Sequence, residues 1–206
     1  MSYPAINAVI AYWDGLRAGR AVPMRSEVDP RGIEPALENA FILERIAPGM
    51  ARIRLAGAHM SDLMGMEVRG MPFTAFFCPT ARKDMSDILE AVFNGPEIAD
   101  ITLESDKGIG KPPLSGKIVL LPLKSDLGDV TRILGCFVTT GEIGRGPRRF
   151  EVTERRLTQV SGGPAIPRAV EEITEDQAPV ASGFQEPATE FRHKGRPKLR
   201  LLTFDN

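Results

Sequence analysis

From Lys117 to Lys124 the chain has no wet side: Val119, Leu121 and Leu123 are apolar, and so are Ile118 and Leu120 between them. Successive side chains of a strand point to opposite faces, so such a strand belongs in a sheet covered on both sides. Arg132 to Thr140 repeats the pattern, with Ile133 and Phe137 on one side and Leu134, Cys136 and Val138 on the other. Ile98 to Ser105 differs. There Ala99, Ile101 and Leu103 alternate with Asp100, Thr102 and Glu104, as in a strand with one wet face. Gly and Pro clusters separate the three segments, which therefore read as a meander.

Two helical stripes are available to cover such a sheet. Between Arg82 and Phe93, Met85, Ile88, Leu89, Val92 and Phe93 share one face and Arg82, Lys83, Ser86, Asp87 and Glu90 the other. Pro79-Thr80 supplies an N-cap candidate and Gly95-Pro96 a stop. Near the N-terminus, Ile6, Val9, Ile10, Trp13 and Leu16 recur at helical spacing, and Gly19 closes the helix. The second sheet face needs either this stripe or a second copy of the sheet. A homodimer through Ile6, Val9, Ile10, Trp13 and Leu16 is expected, because large apolar patches are uncommon on monomers. Arg25 to Pro35 reads as a linker lying across the surface.

The front half of the chain runs in a particular order. Phe41-Ile42-Leu43-Glu44 leads through a Pro48-Gly49 turn into Arg52-Ile53-Arg54-Leu55-Ala56-Gly57. A short helix, Ser61 to Gly65, follows with Ser61 as its cap, and then Glu67 to Gly70 with Phe73, Phe76 and Phe77. This order resembles the opening of a PAS-type sensor domain, and more narrowly a bacterial PAS-like family, from Tyr12-Trp13 through Gly141. The resemblance implies an α+β fold, a five-stranded antiparallel sheet in PAS strand order with short helices on one face. It implies a binding or signalling module that acts through other proteins, since no kinase, cyclase or DNA-binding output segment is recognisable. The expected organisation is an N-terminal helix and linker (1–35), the PAS-like domain (36–156), and an acidic linker with a basic tail (157–206).

Composition removes several alternatives. At 206 residues, 42% hydrophobic and 26% charged, the chain suits one globular domain with an appendage. A formal net charge of −1 provides no overall field for nucleic acid or anionic lipid, so nucleic acid is an unlikely partner. No apolar run approaches the ~20 residues of a membrane helix, and no export leader is visible, so a cytoplasmic location is expected. With only Cys78, Cys136 and two histidines, neither a disulfide framework nor a metal site is expected. Ser161 to Glu190 is acidic and poor in large apolar groups, and Phe191 to Leu202 is basic with alternating leucines, a peptide-like docking element.

No residue set announces a reaction, and no enzymatic role is expected. His59 sits at the entry of the short helix, where a cap or surface hydrogen bond outweighs catalysis. His193 lies in the basic tail. Cys78 falls close to where light-sensing PAS relatives carry a flavin-reactive cysteine, but Phe77-Cys78-Pro79-Thr80 lacks their Asn, Arg and Gln context. Haem-binding relatives carry a histidine on the long helix, and Arg82 to Phe93 has none. Flavin and haem are therefore disfavoured and no cofactor is expected. Gly110 to Ile118 fails as a P-loop and reads as a hairpin connection.

Two binding possibilities remain. Leu43, Ile53, Leu55, Met64, Phe73, Phe76, Phe77, Met85, Leu89, Leu121 and Cys136 are the candidate lining of an apolar ligand pocket, with a filled core as the alternative. Arg52 and Arg54 are expected to share one strand face opposite Ala51, Ile53 and Leu55, where they form salt bridges or hold an anion. The function expected is a sensory or regulatory module binding a small apolar molecule or a signalling partner and acting through a dimer interface. The rival is a ligand-free adaptor.

Overall fold

The computed structural model describes residues 3–160. The acidic linker and basic tail expected from Ser161 onward lie outside the described residues, as does His193. Helix α1 (Pro4–Arg17) comes first, followed by a crossing segment that includes a short 3-10 stretch, Pro30–Ala36. A hairpin of β1 (Ala40–Ala47) and β2 (Met50–Ala56) leads to α2 (Ala58–Met64), and α3 (Arg82–Asn94) follows after two 3-10 turns. The chain then forms β3 (Glu97–Ser105), β4 (Ser115–Lys124), β5 (Val130–Thr140) and β6 (Phe150–Gln159).

These strands make one antiparallel sheet in the order β2-β1-β5-β4-β3-β6. The α+β expectation holds, with a sixth strand beyond the five. β6 is an edge strand anchored by buried Phe150, and its middle, Thr153 to Arg156, is exposed, so it carries little apolar periodicity. It runs past Arg156, and Val160 just after it is buried.

Both faces of the central strands are covered, and one chain does it alone. On the inner face, α2, α3 and the 3-10 turns bury Leu63, Met85, Ile88, Leu89 and Val92 against Phe41, Leu43, Ile118, Leu120, Ile133 and Phe137. On the outer face, Ile6, Val9 and Trp13 of α1, with Ile33 and Ala36, cover Ile42, Val119, Leu121, Leu134 and Cys136. The register explains the sorting. Val119 faces Cys136 and Leu121 faces Leu134, whereas Ile118 faces Phe137, so alternate residues of β4 and β5 feed different cores. The stripe expected to meet a second copy is thus spent on the chain's own sheet. Ile6, Val9 and Trp13 are at most 3% exposed, while Ile10 and Leu16 are half-buried at its margin.

Trp13 donates Nε1–H to the Pro122 carbonyl at 2.9 Å, pinning α1 to β4, and the Arg17 guanidinium lies over its ring. Helix α1 ends through two left-handed residues, Ala18 and Gly19, where only Gly19 was expected. Other helix starts also differ from expectation. Gly57, not Ser61, precedes α2, at a place where a Cβ would lie 2.2 Å from the Glu38 carbonyl oxygen. Thr80 does not cap α3. It sits in a 3-10 turn, Pro79–Ala81, and donates its hydroxyl to Glu151 Oε1 at 2.6 Å.

Candidate functional site

The expected pocket lining divides among three places. Leu43, Ile53, Met64, Phe73, Phe76, Phe77, Met85 and Leu89 meet in the inner core, all at 5% exposure or less. Leu121 and Cys136 point the other way, into the outer core with Trp13. Leu55 is on the surface, 45% exposed. Its displacement has a local cause. Ile42 pairs with Leu55 but Leu43 pairs with Ile53, so Arg54 is an extra residue, a bulge that reverses the alternation and turns Leu55 outward.

Aromatic rings fill the inner core. Phe41 stacks on Phe73 at 5.2 Å, Phe73 meets Phe77 at 5.5 Å and Phe76 at 6.1 Å, and Phe137 joins Phe76 to Phe150 at 6.3 and 5.1 Å. All six rings are 0–1% exposed. Offset and edge-to-face contacts of this kind stabilise the interior beyond the area they bury.

On the outer face of the β2-β1-β5 half, three guanidinium groups converge on one carboxylate. Arg52 Nη2 and Arg54 Nε lie 2.7 and 2.9 Å from Glu44 Oε2, and Arg132 Nη2 lies 2.7 Å from Oε1. Burial alone would raise the Glu44 pKa, but the Arg52 hydrogen bond and the charges of Arg132, Arg52 and Arg54 hold it below the usual carboxylate value. The Glu44 side chain is 12% exposed, the Arg52 and Arg54 side chains 42% and 53%, so the cluster presents cationic groups to solvent. Arg52 and Arg54 were anticipated together. Arg132 was not, because its place beside Glu44 depends on the pairing of β1 with β5.

Next to this cluster is an apolar recess of about 150 Å³ between the crossing segment and the sheet, lined by Ile33, Leu37, Ile42, Leu55 and Leu134, with Arg25 on its wall. Sequence reasoning missed it, since its walls come from segments far apart in the chain.

The remaining chemical candidates sit in packed or hydrogen-bonded surroundings. The His59 ring is within hydrogen-bond distance of Thr139 Oγ1, at 3.1 Å, and edge-on to Phe137. Burial holds its pKa below the ordinary value, against the opposing pull of Asp62 and Glu38. Burial pushes the Cys78 thiol up to about 11, with Glu151 adding to the effect, and the Cys136 thiol up to about 12, so neither is a thiolate near neutrality. Arg148 is fully buried. It donates to the Ile143 carbonyl, Ser105 Oγ and the Asp106 and Pro112 carbonyls, with Asp106 Oδ1 3.6 Å from its Nε. Among the described residues no group of three or more His, Cys, Asp or Glu side chains could hold a metal ion. No described helix is long and apolar enough to cross a membrane.

A family profile described as PAS domain matches residues 1–138, about two thirds of the chain. The chain belongs to the PAS domain family. PAS modules are sensory and regulatory. The match takes in α1 together with the sheet through most of β5, so the helix over the outer face is part of the family unit. Solved structures similar to this PAS chain include a light-state structure of the blue-light photoreceptor Aureochrome1 LOV domain, at 17% identity and a TM-score of 0.39, covering 54% of this chain and 88% of that one. A LOV domain studied with a flavin analogue matches with the same identity and score over 84% of its length. An RNA-binding LOV receptor matches at 20% identity and a TM-score of 0.39, over 56% of this chain and 35% of its own. No curated protein sequence matches the chain.

Proposed function

We propose that this PAS protein is a regulatory interaction module that works by engaging a signalling partner, with its interior occupied by its own side chains and no turnover of substrate. The observation that carries this reading is the filled inner core: six buried phenylalanine rings in mutual contact where a ligand-sensing PAS domain would hold its ligand. The apolar recess on the outer face, at about 150 Å³, is below the ~300 to 1,000 Å³ of common small-molecule sites, and larger open hollows of about 310 to 510 Å³ lie along α1 and the β3-β4-β6 surface, outside the ring-filled core. Cys78 is outside the ring cluster and beside Glu151, which supports a reading without a flavin–thiol reaction.

A homodimer built on the α1 stripe would require α1 to leave its own sheet, so the partner surface belongs elsewhere on the molecule. The test is direct. A freshly purified sample should show no visible absorbance, its denatured extract should yield no stoichiometric small molecule by mass spectrometry, and its melting temperature should not move against a metabolite panel. A released flavin, haem or other stoichiometric ligand would overturn the reading.

A further inference from the structure

The arginine cluster and the apolar recess are neighbours on one face. Across β1 and β5 the pairs Ile42–Leu134 and Glu44–Arg132 are two residues apart, and across β1 and β2 the pairs Ile42–Leu55 and Glu44–Arg52 run alongside them. Two residues along a strand span ~7 Å, so the recess floor and the cationic cluster are adjacent patches of one surface. Three guanidinium groups share one carboxylate there, which leaves two positive charges unmatched within the cluster. Exposed Leu37 and Leu55 frame the recess, at 39% and 45%.

We propose that this face is a docking site for an acidic segment of a partner protein, one large apolar side chain of which seats in the recess while flanking carboxylates meet Arg52, Arg54 and Arg132. The proposal rests on the reading of the protein as an interaction module and names the partner's chemistry. A cavity of about 150 Å³ is the size that admits a single benzene-like group. One side chain fits, and the rest of its bearer must lie outside on the strands. Guanidinium groups suit that neighbour, because their planar forks bind carboxylates bidentately. A partner segment that is basic would meet like charge on this face.

The experiment uses the full chain and a fluorescent synthetic peptide with one phenylalanine between runs of glutamate. Control peptides carry alanine for the phenylalanine or glutamine for the glutamates, and decanoate stands for a small anionic amphiphile. Anisotropy should report saturable binding that weakens as salt rises, and amide shifts should cluster at Ile42, Leu55 and Leu134. The double variant Arg52→Gln/Arg54→Gln and the single variant Leu55→Asn should each lower affinity about tenfold, and both control peptides should bind comparably weakly. Both variants alter exposed side chains, and circular dichroism confirms that they fold. Absence of peptide binding, equal binding by the variants, or shifts from decanoate but not from the peptide would overturn the docking proposal. A small molecule in the denatured extract would instead overturn the interaction-module reading, so the two failures are told apart.

Discussion

At the scale of single residues, Arg148 and His59 show how burial converts chemistry into architecture. Arg148 reaches the β3–β4 connection and the segment before β6 with one side chain, satisfying three carbonyls and the Ser105 hydroxyl inside the protein. Arg148→Ala strands those acceptors and removes one partner of Asp106, and should cost about 3 kcal/mol in urea unfolding. Arg148→Lys should recover little of it, because an ammonium lacks the planar fork that serves several acceptors at once. His59 gives a pH dependence whose sign follows from its lowered pKa. Above the ordinary value of 6.5 both folded and unfolded chains hold it neutral, and its contribution is fully present. As pH falls through that value the unfolded chain takes up a proton that the folded chain resists, and stability declines toward the lowered folded pKa. Unfolding free energies at about pH 7.5 and about pH 5.5 should converge for His59→Gln relative to the native chain.

Among secondary-structure elements, the sheet is held by what lies on each face and by the absence of side chains where two layers approach. A Cβ on Gly135 of β5 would lie 2.1 Å from the Phe41 ring, which covers that residue from the paired position on β1. Gly135→Ala should therefore push Phe41 off Phe73 and destabilise the protein by about 1–3 kcal/mol. Adding Phe41→Leu should recover part of the loss, a coupling that a double-mutant cycle measures. Helix α1 depends in turn on Trp13, 1% exposed and bonded to the Pro122 carbonyl. Trp13→Ala should cost about 3–5 kcal/mol by denaturation. It should also expose Val119, Leu121 and Leu134, so light scattering should rise on heating before the native chain scatters.

For the molecule as a whole, the inner and outer cores share β1, β4 and β5, and neither can open without uncovering the other side of the same strands. Unfolding should therefore be a single transition. Trp13 is the only tryptophan and reports the outer core, so its fluorescence and the far-ultraviolet circular dichroism should change at the same denaturant concentration. An earlier fluorescence change would make α1 a separately melting unit. Much of this architecture could be read before any coordinates. The doubly apolar β4 and β5, the amphipathic α1 and α3, and the hairpin at Pro48-Gly49 each carry their signal in consecutive residues, because periodicity states which faces must be dry. What covers those faces is a different question. Whether Trp13 meets its own sheet or a neighbour's, that Arg54 bulges and turns Leu55 outward, and that Arg132 arrives beside Glu44 all depend on strand order and register. Those are agreements between segments as many as 109 positions apart, reached by fitting shapes and charges in space. Local pattern contains the demand for a partner, and three-dimensional assembly chooses which partner answers it.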